Sequence, residues 1–455
     1  MVENYLHLAL TLFTLLLCLT IKLRLTVKFD IFEPYYIIWV TYFLVMWFAP
    51  MVWLLNGQTT KFGFEIMDGL PYASLLFDIG FLSFSAAYFY CYEKRIASKQ
   101  REHFPEIVDG PFTYGAFAQA AFFVISVLFV FSLATTGQSI LTILSFGSIE
   151  NSNDAVVDDL GTAREMLVGS SISYVPVLML AMIYQRRARW VIVVEYVFVL
   201  TVFIARGYRY ILLVLVAAPI ICHYIRKNKR PRFFQVAGAL VVIFAVVAVI
   251  GVTRSSYRSG ATIEAFSFSD LWDNTMVNLE VFYPYYREVL YVPTEYPYAW
   301  GTSFAFIVLN FVPRSLWPNK PFPPYAPLAE FLFGVSSQTG MAYVNVGEFY
   351  LNFGPIGVFV GMGLFGYLAA RSYLLIYKRN SCLPVIGYSM LAVYYIQYMT
   401  RGDFSSVSLQ MFFLFAPLFV AHLCKPMLSK HSLGLRSMVT GSASGSSAVS
   451  SRNQL

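Results

Sequence analysis

The sequence predicts an all-α, polytopic membrane protein of about eleven transmembrane helices, with its N-terminus outside, its C-terminus in the cytoplasm and one long external loop. Three observations carry this. Hydrophobic residues make up 58% of the chain and charged residues only 13%, with a mean hydropathy of +0.62, whereas soluble domains carry about 25% charged residues. Several apolar runs reach or approach the roughly 20 residues a spanning helix needs, and the ten-residue alternation of an outer-membrane barrel is missing. Lys and Arg are also unevenly spread between the loops, which sets the orientation.

The spans are read in order as 5–21, 35–56, 69–92, 115–135, 168–185, 190–205, 209–224, 233–252, 346–370, 383–400 and 405–424. The first follows an acidic residue, without the basic stretch that opens a cleaved signal peptide, and is read as a retained span. With the N-terminus outside, 22 of the 32 Lys and Arg face the cytoplasm, while Glu150, Asp154, Asp158 and Asp159 lie outside. Cys18, Cys91, Cys222, Cys382 and Cys424 all fall on the inner side, so no disulfide is expected. Asp78 and Glu195, inside the third and sixth spans, are read as partners in hydrogen bonds between helices. Residues 1–437 form one membrane domain with the external loop 253–345, and the Ser- and Gly-rich segment 438–455 reads as a disordered tail.

Cations on the outer side run against the orientation rule and need a reason. An interfacial Arg can simply snorkel to headgroup phosphates. The turn ARGYRYILLVL (205–215), however, joins two apolar runs of roughly 15 residues, or roughly 23 Å of helix, shorter than a bilayer core of about 30 Å. Arg206 and Arg209 are thereby held near headgroup depth, where guanidinium forks match a lipid diphosphate. In the external loop, FVPRSLWPNKPFPP (311–324) presents Arg314 and Lys320 between prolines, which lowers the entropy cost of gripping a polyanion. The bland alternative is a Pro-rich connector with Trp317 anchored at the interface. Just upstream, FAFIVLNFVP (304–313) is too short to span and reads as re-entrant or interfacial.

VNVGEFYLNFG (344–354) opens the ninth span with Glu348, a candidate general base whose burial would bring its pKa toward the working range; a salt bridge to one of the arginines is the alternative. Gly357 and Gly361 form a GxxxG that suits helix packing. In MTRGDFSS (399–406), Arg401 and Asp403 pair with each other, or Arg401 joins the cationic site. Aromatic residues crowd YPYYREVLYVPTEYPYAW (283–300); Tyr283, Tyr285, Tyr286 and Trp300, with Trp317 and Tyr350, are read as glycan contacts, against an interfacial aromatic belt.

Absences narrow the chemistry. His7 is the one histidine placed outside, no His/Cys metal pattern is present, and no nucleotide-binding loop lies on the cytoplasmic side. The expected reaction is external, metal-independent and free of cofactors, with an already activated lipid-diphosphate donor whose departing charge the cations would stabilise.

FVPRSLWPNKP, then VNVGEFYLNFGPIG, then RGDF in the last external turn, together with ARGYRYILLVL, resemble the bacterial oligosaccharide repeat-unit polymerases (Wzy-type, O-antigen polymerase family). The resemblance implies an inner-membrane glycosyltransferase that joins undecaprenyl-diphosphate-linked oligosaccharides, serving as both donor and acceptor, at the external face. It implies that Arg206, Arg209, Arg254, Arg314, Lys320 and Arg401 hold the diphosphates, and that Glu348 deprotonates the acceptor hydroxyl with Asp403 as reserve. Membrane lipids, a chain-length regulator and a flippase are the partners it suggests, and no nucleic acid. The competing readings are a flippase or exporter of lipid-linked glycans, an O-antigen-ligase-like transferase, which the missing external-loop histidine disfavours, and a structural subunit of a polysaccharide assembly complex.

Overall fold

The computed structural model describes residues 2–101, 113–135, 170–184, 189–205, 209–232, 234–235, 238, 272, 275–277, 279–312, 316–334, 342–378 and 382–444. Among them the chain is almost entirely helical: α1 (Val2–Leu25), α2 (Pro34–Leu55), α3 (Leu70–Cys91), α4 (Thr113–Thr135), α5 (Tyr174–Tyr184), α6 (Arg189–Ala205), α7 (Arg209–Arg226), α8 (Tyr283–Tyr291), α9 (Thr302–Leu309), α10 (Tyr325–Phe333), α11 (Asn345–Tyr373), α12 (Leu383–Thr400) and α13 (Phe404–Ser444). A two-residue hairpin, β1 (Thr60–Lys61) with β2 (Phe64–Glu65), is an addition to the expected all-α fold. A described helix lies on every predicted span except 233–252, which falls almost wholly outside the described residues. Among the described residues six helical stretches are long and apolar enough to cross a membrane, and the chain is an integral membrane protein. α12 is not one of the six because four tyrosines and Gln397 lower its hydropathy. Most of its residues are buried, so it meets protein rather than lipid and can hold polar side chains. α13 runs on to Ser444, into the segment read as a disordered tail.

The centre of the molecule is the contact of α3 with α11, where small residues let the backbones touch. A Cβ on Gly366 would fall on the Phe84 carbonyl, and one on Gly363 would stand 2.8 Å from Ser83 Oγ. Ser83 Oγ donates to the Phe359 carbonyl across the same contact at 2.7 Å. Such close approach is how helices associate when lipid removes the hydrophobic drive between them. Two polar residues inside spans act as the sequence suggests. Thr11 Oγ1 donates to Asp78 Oδ2 at 3.3 Å between α1 and α3, and Gln119 Nε2 donates to Glu195 Oε2 at 3.3 Å between α4 and α6.

One end of the helical core, the end predicted to face the cytoplasm, is closed by paired charges. Lys22 at the foot of α1 and Glu33 before α2 are both fully buried and meet at 3.0 Å. Tyr88 donates to Glu33 Oε1 at 2.8 Å, and the Lys22 ammonium sits 3.6 Å from the centre of the Tyr92 ring. Beside them Arg230 grips Asp30 through Nε at 2.7 Å and Nη2 at 2.5 Å, while the Tyr373 hydroxyl donates to the same carboxylate.

The ninth predicted span, 346–370, is not one straight helix. The backbone breaks at Phe353 and Gly354, where Gly354 has φ +63° and Pro355 follows. A side chain at 354 would be strained by that φ and would meet the Tyr298 hydroxyl at 2.7 Å. Residues 345–352 fold back along the outer part of the spanning segment. Asn345 Nδ2 lies 3.9 Å from Met362 Sδ, and the Phe349 ring and carbonyl press on Gly361 and Gly357. The GxxxG thus does serve packing, against a re-entrant turn of its own helix. Every residue from Asn345 to Leu351, and Asn352 after them, is buried.

The long external stretch 253–345 is structured where it is described. α8, α9 and α10 cap the opposite end, and Arg287 of α8 ties α10 to the hairpin by donating to the Leu332 carbonyl at 2.6 Å while stacking over Phe64. The FAFIVLNFVP stretch forms α9, which lies against the start of α13 without spanning.

Candidate functional site

The re-entrant segment of α11 carries Glu348 into the protein at the end opposite the Lys22–Glu33 pair. Its side chain is fully buried, and both carboxylate oxygens accept the Phe404 N–H, each at 3.0 Å. Phe404 is the first residue of α13, and its N–H, which has no carbonyl partner within the helix, faces the carboxylate. Asn352 fixes the segment: it donates to the Glu348 carbonyl at 2.8 Å and to Ser303 Oγ at 2.7 Å, and accepts the Gly301 N–H at 2.9 Å. Two sequence stretches far apart in the chain, GEFYLNFG and RGDF, therefore meet at one carboxylate.

The neighbouring turn brings in the others. Gly402 N–H donates to the Tyr343 carbonyl at 2.6 Å, and a Cβ on Gly402 would lie 2.6 Å from the Asn345 nitrogen; only glycine lets the two chains come this close. Arg401 is exposed, its guanidinium 5.4 Å from the centre of the Tyr210 ring, and Thr400 Oγ1 donates to the Tyr210 hydroxyl at 3.2 Å. The start of α7, where the arginine-bearing turn ends, thus adjoins the RGDF turn. Asn310, at the end of α9, donates to the Ser405 carbonyl at 3.1 Å, and Phe304 packs on Phe404.

The predicted site residues divide. Arg206, Arg254 and Arg314 lie outside the described residues, as does the Arg209 side chain. Lys320 is buried, and its ammonium donates to the Val312 carbonyl at 3.1 Å inside its own loop. Asp403 caps α13: its carboxylate accepts the Ser405 N–H at 3.1 Å and the Ser405 and Ser406 hydroxyls at 2.5 Å each. Tyr285, Tyr286 and Tyr350 are almost wholly buried, Tyr285 donating to Ala73 and Tyr350 to Val292, which leaves no free ring face for a sugar. Tyr283 is half-buried against Phe62 and Phe333. Trp300 and Trp317 are exposed, by 72% and 40%.

One functional-looking residue has no counterpart in the sequence reading. Glu288, on α8, is fully buried, and neither of its carboxylate oxygens has a hydrogen-bond partner. It lies against Gly347, the residue before Glu348: a Cβ there would come within 2.8 Å of Glu288 Oε2 and 3.2 Å of the Tyr285 ring. Burial first, and the neighbouring Glu348 second, push the Glu288 carboxyl well above the usual carboxylate range. Tyr325 and Tyr343, packed at a tilt with ring centres 4.4 Å apart, add two buried hydroxyls without hydrogen-bond partners among the described residues. The available signal was a glycine directly before an acidic residue, which permits a second side chain to approach. Among the described residues no group of three or more His, Cys, Asp or Glu is arranged to hold a metal ion.

Chemically, the arrangement offers a buried carboxylate held by one backbone donor, a second carboxyl beside it, and an exposed guanidinium at the rim. Neither the curated proteins nor the solved structures give a match. The family model for O-antigen polysaccharide polymerase Wzy matches residues 1–431. That match takes in the re-entrant segment, the RGDF turn and the membrane helices that carry them, and the chain belongs to the Wzy family of O-antigen polysaccharide polymerases.

Proposed function

We propose that the protein polymerises oligosaccharide repeat units carried on undecaprenyl diphosphate, at the external face of the bacterial inner membrane, without a metal ion. Family membership supplies the polymerase activity. The observation that supports the site is the meeting of GEFYLNFG and RGDF at Glu348. In this reading Glu348 removes the proton from the acceptor sugar's hydroxyl as its oxygen forms the new glycosidic bond. The bond from the donor's anomeric carbon to the lipid diphosphate breaks, and the diphosphate leaves with the electron pair. Arg401 is a charge at the rim to meet that leaving group, and Arg206, Arg209, Arg254 and Arg314 complete the grip. Preorganised charge aimed at a departing anion is usually the largest catalytic term. Trp300 and Trp317 are the open ring faces for the glycan.

Asp403 is the weaker candidate for the base, because its oxygens already serve the helix cap and its serines. Lys320, used within its loop, is the weakest of the cations as a phosphate ligand.

Purified protein in lipid nanodiscs, given its lipid-linked repeat unit, should produce a ladder of longer lipid-linked glycans. Arg206→Ala with Arg314→Ala should abolish the ladder. Full activity in the double variant would overturn the cationic site, and movement of the substrate across a vesicle membrane without elongation would indicate a flippase instead.

A further inference from the structure

The Glu288–Glu348 pair has an internal asymmetry. Both oxygens of Glu348 accept the Phe404 N–H, a donor that offsets part of the cost of burying a carboxylate. Glu288 receives no hydrogen bond, is fully buried, and has no salt bridge among the described residues. A lone carboxylate in that position is strongly disfavoured beside a second one. The titratable groups around Glu288 are Glu348 and Tyr350 from α11, Tyr325 from α10, Tyr343 from the stretch before α11, and Tyr285 of its own helix. Tyr72 and Asp78 of α3 act on Tyr285 and Tyr286 rather than on Glu288. Arg287, next in the chain, turns away to the Leu332 and Glu65 carbonyls. No cation faces Glu288 among these neighbours.

We propose that Glu288 is a positioning residue of the transfer reaction: a carboxylic acid that stays protonated in the outer core and so confines the negative charge of the pair to Glu348. This rests on Glu348 being the base. It also gives Gly347 a purpose, since any side chain there would press on the Glu288 carboxyl. The pair titrates as a unit. Activity appears as Glu348 loses its proton with rising pH. It falls again when Glu288 ionises, because the second charge breaks the packing at Gly347 and repels the incoming diphosphate. The profile is therefore bell-shaped, and its alkaline limb belongs to Glu288.

The test uses the full-length protein in nanodiscs and the variants Glu288→Gln and Glu348→Gln. The infrared spectrum at neutral pH should contain a protonated-carboxyl C=O band that disappears in E288Q. E288Q, a neutral isostere that cannot ionise, should lose the alkaline limb of the pH profile. An unchanged band in E288Q would show Glu288 to be ionised and overturn the proposal; so would an unchanged alkaline limb, which is what a purely structural residue would give. Should E288Q be inactive while E348Q remains active, the roles are reversed. Should E348Q alone stay fully active, the reading of Glu348 fails, while the infrared band still reports on Glu288 by itself. If E288Q does not fold, Gly347→Ala reads the same contact: its Cβ displaces Glu288 and shifts the alkaline limb, and a wild-type profile there would overturn the proposal.

Discussion

The two ends of the membrane core both bury charged side chains, and they treat them in opposite ways. At one end Lys22 meets Glu33, Arg230 meets Asp30, and tyrosines complete the carboxylates. At the other end Glu288 has no hydrogen-bond partner among the described residues, and Glu348 is met by the Phe404 N–H rather than by a cation. Both arrangements sit against α3 and α11, so the contrast is not one of burial. Charges that are neutralised in place fix how helices and loops meet. Carboxyls buried without a counter-ion cost folding energy, and perturbed groups of this kind cluster at functional sites.

This contrast can be broken by experiment, starting where the effect should be largest. Glu348→Gln keeps the volume and the Phe404 contact and removes the base. General-base removal typically costs about 10²- to 10⁴-fold in rate, so the glycan ladder should vanish while the melting temperature holds or rises. A ladder of normal length from E348Q would erase the distinction at its outer end. Next is Lys22→Ala, which strands Glu33 in the core. Breaking one partner of a buried pair costs about 3–5 kcal/mol, so thermal unfolding in detergent should shift strongly downward. Lys22→Met combined with Glu33→Gln should recover most of that loss, and the activity per folded molecule should not change. A normal melting curve for K22A would mean that the inner pair is not structural. The smallest effect belongs to Asp403→Asn, which keeps a capping oxygen. It should cost at most about 1 kcal/mol and leave activity close to wild type; a fall as deep as that of E348Q would move the base to Asp403.

Much of this was legible in the amino-acid order, for identifiable reasons. Long apolar runs and the inward bias of Lys and Arg announce membrane helices, and Asp78 and Glu195 sit where a polar group needs a partner on another helix. Glu348 and the RGDF turn stand out as charges at span ends. The break in α11 was signalled by Phe353-Gly354-Pro355, since proline removes a backbone donor and glycine admits a positive φ. It was obscured by the hydropathy, which is continuous across it. Glu288 was hidden by its company: in YPYYREVLY the tyrosines look like an interfacial belt, whereas Tyr285 and Tyr286 face inward with the acid among them. Periodicity in a nine-residue helix is too short to separate a core face from a wet one, and the pairing of Glu288 with Gly347 spans a sequence distance that local pattern cannot bridge.

The Phe404 N–H is the one hydrogen bond by which the last pair of helices touches the Glu348 carboxylate. Shifting the start of α13 by a fraction of a turn withdraws the donor, so the last span and the carboxylate move as one unit.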